Sequence, residues 1–252
     1  MPILKLRISN KDDYVSREQF NTLCSNISFA GHKVKTIAIT SCVAGEGKSY
    51  ISMQIARNFT KRGKKVVLID ADLRKSRMAS DYLYRYDDGE IVGLAHYLSG
   101  ISTLNDVVYQ TNVKNLFLVP EGRDLINPVP LLMTPQFQTM IHTLEGLCDL
   151  IIIDTPPVGL VVDAAEIARY TDGVIFVVKY QNTHRRELKE AQKTIEKSEV
   201  PILGCVLNQV EFKGISSKYY YNRSSYSHYY KNGYYGNKKE KTTEKKTSIP
   251  GG

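Results

Sequence analysis

The sequence predicts an α/β protein: a doubly wound, mostly parallel sheet with helices on both faces, followed by a disordered C-terminal tail. Three observations predict it. Six short runs rich in Val and Ile lack polar alternation, as strands covered on both faces do. Segments with helical spacing lie between most of these runs, the alternation of a doubly wound sheet. After residue 212 the apolar periodicity stops and a polar, tyrosine-rich stretch begins.

Taken in order, "SREQ" (16–19) has the form of a capping box, and Phe20, Leu23, Cys24 and Ile27 follow at helical spacing. A helix over about 16–29 is expected, packed on the sheet or on another subunit. "KTIAITS" (35–41) is the first long strand. Ile51, Ile55 and Phe59 make one face of the next helix, which Gly63 can end. "KVVLIDA" (65–71) and "NLFLVPE" (115–121) are further strands. Asn127-Pro128 reads as a cap and a first-turn proline, opening a helix towards Leu144. "DLIIIDT" (149–155) and "GVIFVVK" (173–179) continue the sheet. A charged helix over 183–198, with Leu188, Gln192 and Ile195 at helical spacing, leads to the last strand, "ILGCVLN" (202–208).

Composition bounds the class. At 252 residues, 42% hydrophobic and 24% charged, the chain fits one soluble domain with an appendage. No apolar run is long enough to span a bilayer, and the first residues are too weakly apolar for a signal peptide. Four scattered cysteines without CxxC pairs suit reduced thiols rather than disulfides or zinc. A cytoplasmic location is expected. The net charge of +8 is concentrated at one end: residues 213–246 hold nine Lys/Arg against two Glu, a balance of +7.

The chemistry centres on "SCVAGEGKSY" (41–50). A GK[ST] triplet alone is weak evidence, and Cys42 stands where a phosphate loop usually opens with glycine. Position decides the reading. The loop follows a strand and opens a helix, where backbone N–H groups and the helix N-terminus make an anion site. Ala44, Gly45 and Gly47 are small enough for the backbone to wrap a phosphate. Lys48 can reach the β- and γ-phosphates of a nucleotide, and the Ser49 hydroxyl can ligate Mg²⁺. Asp70 and Asp72 end one strand and Asp154 another, on the sheet edge where the loop sits. Three carboxylates beside one phosphate repel it unless a cation lies between. Lys48 and Asp154 are expected to point into a solvent-facing site.

"GEGKS", "VLIDADLR" and "IIIDTPP" resemble the Walker A, A′ and B motifs of the bacterial tyrosine kinases of capsular and exopolysaccharide assembly. These are P-loop ATPases related to the division-site and partition ATPases. The likeness runs from about residue 16 to 212, with Asp70, Asp72 and Arg74 as the DxDxR element. It is similar in particular to the streptococcal capsule form, a cytosolic kinase chain with a separate membrane adaptor. The resemblance implies ATP and Mg²⁺ as cofactors. It implies that Ala44, Gly45, Glu46, Gly47, Lys48, Ser49 and Tyr50 surround the phosphates, and that Ser49, Asp154 and Asp72 (through water) hold the metal. It implies Asp70 as the partner of the acceptor tyrosine's proton. A carboxylate near pKa 4 matches a phenol near 10 poorly, so orienting the hydroxyl is its expected role. Asn208 occupies the place where relatives read the base; a plain strand-end asparagine is the other reading.

Four positions depart from the family. Ala44 replaces a proline, Tyr50 replaces a small hydroxyl residue, and Asn21 and Cys24 stand where E-x-x-R-x-x-R, beginning here at Glu18, would place arginines. Self-association is expected, without an arginine-built ring.

The domain reading is a kinase domain over 1–212 and a basic, disordered tail over 213–252. The tail carries Tyr219, Tyr220, Tyr221, Tyr226, Tyr229, Tyr230, Tyr234 and Tyr235, eight of the seventeen tyrosines. The resemblance makes them autophosphorylation sites, modified in trans. It also implies a membrane adaptor that activates the kinase, a cognate tyrosine phosphatase, and a place at the inner face of the membrane. Single-stranded nucleic acid stacked on the aromatics and anionic lipid are the rival tail partners, nucleic acid being disfavoured. A partition-type ATPase switch, or an assembly scaffold with a structural nucleotide site, are the rival functions. The first has no need of the tyrosines and carries an extra lysine that "SCVAG" lacks.

Overall fold

The computed structural model describes residues 1–8, 14–31, 34–87 and 89–210. The tail over 213–252 and its eight tyrosines lie outside the described residues. The chain begins with β1 (Ile3–Leu4), α1 (Tyr14–Phe29), β2 (Thr36–Ser41), α2 (Lys48–Lys61), β3 (Val66–Asp70) and α3 (Met78–Asp81). Next come α4 (Leu94–Leu98), α5 (Leu104–Val107), β4 (Tyr109–Thr111), β5 (Leu116–Val119), α6 (Val129–Leu132) and α7 (Pro135–Glu145). The last elements are β6 (Leu150–Asp154), α8 (Asp163–Ala168), β7 (Gly173–Lys179), α9 (Arg185–Glu196) and β8 (Ile202–Asn208).

One eight-stranded sheet runs in the order β1-β4-β5-β3-β6-β2-β7-β8. From β5 to β8 every pairing is parallel, and β4 alone pairs antiparallel, with β5. The missing polar alternation has the expected cause. Val66, Leu68, Leu150 and Ile152 face the apolar layer under α1 and α2. Their neighbours Val67, Ile69, Ile151 and Ile153 face the layer under α4 and α7. Successive side chains point to opposite faces, so a strand covered twice needs apolar residues at every position.

Each of the six expected strands forms, and the structure differs elsewhere. β1 and β4, two and three residues long, have no counterpart in the sequence reading. The helix expected from Asn127 towards Leu144 is broken: α6 ends at Leu132, and α7 starts afresh with Pro135 in its first turn. A proline inside a helix loses a hydrogen bond and clashes with the preceding turn, so the Thr134-Pro135 step ends one helix and begins another. α1 starts two residues ahead of Ser16, so that serine is not a cap. It packs within the subunit, Cys24 and Ile27 joining the core beneath α2. On α9 the buried residues are Ala191 and Ile195, and Gln192 is exposed. β8 is only half covered, with Leu207 53% exposed.

The sheet's centre and its β8 edge are therefore expected to respond differently to truncation. Ile152→Ala should cost about 2–5 kcal/mol, because Ile152 is fully buried. Leu207→Ala should stay within about 0.5 kcal/mol. Urea unfolding of both variants checks the contrast, and equal losses would contradict it.

Candidate functional site

Strand register builds the site. In the consecutive strands β3, β6 and β2, Asp70 stands opposite Asp154, and Asp154 opposite Ile39. Two residues beyond Ile39, β2 runs into the loop Cys42–Gly47, which leads into α2. The sheet thus brings Asp70, Asp154 and the loop to one edge. Asp72, half-buried, follows β3; its side chain accepts a hydrogen bond from Lys75 N–H at 3.2 Å.

The loop's shape is held from inside by Glu46, which is fully buried. Its Oε2 accepts from the N–H groups of Cys42 (2.7 Å) and Val43 (2.9 Å). Its Oε1 accepts from Lys179 N–H at 3.0 Å and from the Thr183 hydroxyl. The Glu46 side chain is committed to the scaffold, and only its backbone can serve a ligand. Cys42 is buried as well, packed with Ala38, Val158 and Phe176. Burial, with Glu46 next, pushes its thiol up to about 12, which leaves it an inert apolar filler where glycine was expected.

Gly47 is required twice over. Its φ of 89° lies in the left-handed region, and a Cβ there would stand 2.2 Å from Asn208 Nδ2. That amide donates to the Glu46 carbonyl at 2.9 Å, and its oxygen accepts from Gln209 N–H at 2.9 Å. Asn208 closes on the loop. The Tyr50 ring turns towards α1, edge-on to Phe20 with centroids 6.1 Å apart.

Lys48 opens α2 and is 8% exposed, while Asp154 is 1% exposed. The solvent-facing site expected from the sequence is therefore corrected: both groups are buried, because the strands that carry the carboxylates are covered on both faces. Ser49 and Ser52, one helical turn apart on α2, donate to the two oxygens of Asp154 at 2.6 and 2.9 Å. Burial raises the Asp154 carboxyl to about 6, against the pull of Lys48 and the two serines. Asp70 is fully buried and held well above the ordinary carboxylate range by burial, then by Glu121 and Asp154. The Ser76 hydroxyl donates to it. Arg74 reaches away from the loop to a bidentate pair with buried Asp163, at 2.7 and 2.9 Å, and to the Ile126 carbonyl at 3.0 Å.

Sequence reasoning missed Ser52, Ser76, Glu121 and Asp163. Only Ser52 carried a signal, its spacing of three from Ser49 on a helix face. Among the described residues no cluster of three or more His, Cys, Asp or Glu could hold a metal by itself. The donor set fits a hard cation that keeps waters and leans on phosphate oxygens: a buried carboxylate preset by two hydroxyls and a second carboxylate beside it, while the lysine at the helix start suits the phosphates.

A family model described as an AAA domain matches residues 34–201. A Streptococcus agalactiae protein named tyrosine-protein kinase CpsD is 42% identical over 206 residues, covering 82% of this chain and 86% of that protein. The solved structure of the chimerical protein CapA2B2 superposes with a TM-score of 0.73 at 30% identity, over 82% of this chain and 93% of that one. The septum site-determining protein MinD of Pyrococcus horikoshii OT3, solved with Mg-ADP, gives a TM-score of 0.57 at 25% identity, over 69% of each chain.

Asp154 sets a pH dependence. Its carboxyl sits at about 6 in the fold and near 4 in an unfolded chain. The folded state holds that proton more tightly, so the contribution to stability is complete below about pH 4 and lost as pH rises through about 6. In EDTA, Asp154→Asn should therefore be more stable than the parent at pH 8 by about 2–3 kcal/mol. The difference should close towards pH 4. Urea unfolding at both pH values checks this, and a variant less stable at pH 8 would contradict it.

Proposed function

The chain belongs to the bacterial tyrosine-protein kinases, and from that premise we propose an ATP-dependent autokinase that modifies its own C-terminal tyrosine cluster in trans. The observation that carries the reading is the register of Asp70 against Asp154, beside Lys48 and Ser49 at the start of α2. It supports a reading in which the helix start would bind phosphate, Asp154 would hold the metal and Asp70 would meet the acceptor along one sheet edge.

Backbone N–H groups of Ala44, Gly45, Glu46 and Gly47, with the start of α2, would surround the phosphates of ATP. Lys48 would neutralise the β- and γ-phosphates. Ser49 and Asp154, with Asp72 through water, would hold Mg²⁺, which when bound supplies the positive charge that offsets carboxylates and phosphates. Asp70 orients the acceptor phenol. As the phenol oxygen bonds to the γ-phosphorus, the bond to ADP breaks and Asp70 takes the phenol proton. The step needs Asp70 ionised, which the charge of bound Mg²⁺ would favour; once ionised, a carboxylate raised above its usual range by burial is a closer match to a phenol than one near 4. Asn208 serves by shaping the loop through Glu46, and Tyr50, on α2 with its ring against Phe20 of α1, would meet the nucleotide through its backbone.

The acceptors would be Tyr219, Tyr220, Tyr221, Tyr226, Tyr229, Tyr230, Tyr234 and Tyr235. Each phosphate adds about −1.5 to −2 charges, so about four modifications cancel the tail's +7. In this reading the cationic tail is drawn to a neighbour's acidic site and released as it is phosphorylated. The process would control synthesis, chain length and export of a capsular polysaccharide. Among the described residues no helix is long and apolar enough to cross a membrane. Recruitment to the inner face of the membrane would fall to an adaptor whose cytosolic segment activates the kinase, and a tyrosine phosphatase would reset the tail.

Purified chain incubated with Mg-ATP and the adaptor segment should accumulate phosphotyrosine. Lys48→Met should lower the rate by 100-fold or more, on the order of the loss of one transition-state donor, with an unchanged circular dichroism spectrum. Phosphotyrosine persisting in a folded Lys48→Met protein would overturn the site assignment.

A further inference from the structure

Two buried side-chain atoms among the described residues have no hydrogen-bond partner: the Tyr84 hydroxyl and Glu121 Oε2. Such atoms are rare in folded proteins, and each calls for an explanation. Both belong to one place. Val119 of β5 pairs with Ile69 of β3, so the chain leaves β5 alongside Asp70. There the Glu121 carboxyl lies within hydrogen-bonding reach of Asp70. Asp70 and Glu121 are in turn the first two charges acting on the Tyr84 phenol.

Neither group is placed loosely. The backbone of Glu121 is pinned to α4, its carbonyl accepting from Ala95 N–H at 3.0 Å and that of Pro120 from Leu94 N–H at 2.7 Å. Tyr84 comes from a different segment, one tied to the N-terminal residues. Arg7 N–H donates to the Tyr82 carbonyl at 2.9 Å, and Lys5 and Arg85 exchange backbone bonds at 2.9 and 3.0 Å. Between Tyr82 and Tyr84, Leu83 takes φ 44° and is exposed. A leucine in the left-handed region is strained, and the turn it makes lets both tyrosine rings pack inward against the core. Phenylalanine would pack there as well as Tyr84 does, so the ring alone gives no reason for the hydroxyl.

A donor and an acceptor, both idle, thus flank the carboxylate assigned to the acceptor tyrosine. Together they complement one further phenol, whose O–H can donate to Glu121 Oε2 and whose oxygen can accept from the Tyr84 hydroxyl. We propose that Glu121 and Tyr84, with Asp70, form the subsite that selects the incoming tyrosine by its hydroxyl. The inference rests on the kinase reading and names two residues that neither the sequence motifs nor that reading assign. A buried polar pair left without its partner is what makes such a site reject an analogue lacking the hydroxyl.

The test separates this subsite from the kinase reading. Full-length protein with Phe at all eight tail tyrosines is loaded with Mg²⁺ and a non-hydrolysable ATP analogue. It is then titrated with a synthetic peptide of residues 217–231 and with the same peptide carrying Phe for Tyr. The tyrosine peptide should bind about tenfold tighter or more. Glu121→Gln and Tyr84→Phe should each bring the two peptides within about twofold. Nucleotide affinity should be unchanged and the Tm unchanged or raised, since Tyr84→Phe removes an unsatisfied hydroxyl and Glu121→Gln removes a charge beside Asp70. Equal binding of the two peptides to the unaltered subsite, or variants that keep the preference, would overturn the subsite. So would variants that lose nucleotide affinity to the same extent. With ATP in place of the analogue, phosphorylation of the tyrosine peptide despite equal binding of the two peptides leaves the kinase reading standing and removes the subsite. A tyrosine preference without phosphorylation removes the kinase reading instead.

Discussion

Two aspartates removed from solvent stand opposite one another on neighbouring strands, and the rest of the site is arranged around that fact. Asp70 and Asp154 are Cα partners across β3 and β6, and neither is more than 1% exposed. Strands lie about 5 Å apart. Two carboxyls held side by side away from water resist ionising together, and Asp70 keeps its proton well above the ordinary carboxylate range. Lys48, Ser49 and Ser52 offset part of the charge on Asp154, and Ser76 donates to Asp70. The remaining acidity is a standing demand for a cation, and in the proposed function Mg²⁺ meets it when the phosphates arrive.

The same edge needs a loop that keeps its shape with or without a ligand. Glu46 provides it by tying the start of the loop to β7 and Thr183. Asn208, at the end of β8, locks the loop from the other side through the Glu46 carbonyl. Strand pairing from β2 to β7 to β8 therefore sets the geometry of a loop that sequence alone shows only as a motif. Cys42 fits because its side chain fills the core and takes no part in that geometry.

How much was legible follows from which interactions are local. The six long strands could be read because double burial leaves no polar alternation in "VVLID" or "LIIID". The loop, Lys48, Asp70, Asp72 and Asp154 could be read because a strand end and a helix start carry them in short motifs. β1 and β4 are too short to leave a periodic signal. The break at Pro135 was masked by a second helix-start signal seven residues earlier, at Asn127-Pro128. Asp163 and Glu121 come from segments that meet the DxDxR element only through sheet topology, so spacing along the chain could not reveal them; Tyr84 follows that element closely, but its inward ring depends on the left-handed turn at Leu83, which leaves no pattern in the sequence. The inward turn of Glu46 was hidden for the same reason, since its partners Lys179 and Thr183 lie more than 130 residues away.

On the proposed function, the buried carboxylates make nucleotide binding depend on a divalent cation. Calorimetric titration of ATP into the full chain, with Mg²⁺ and then with EDTA, tests it directly. The account predicts tight binding with Mg²⁺ and a loss of tenfold or more without it, on the order of one uncompensated close charge contact. Equal affinity under the two conditions would contradict it, because Asp70 and Asp154 would then be facing the phosphates with no cation between them.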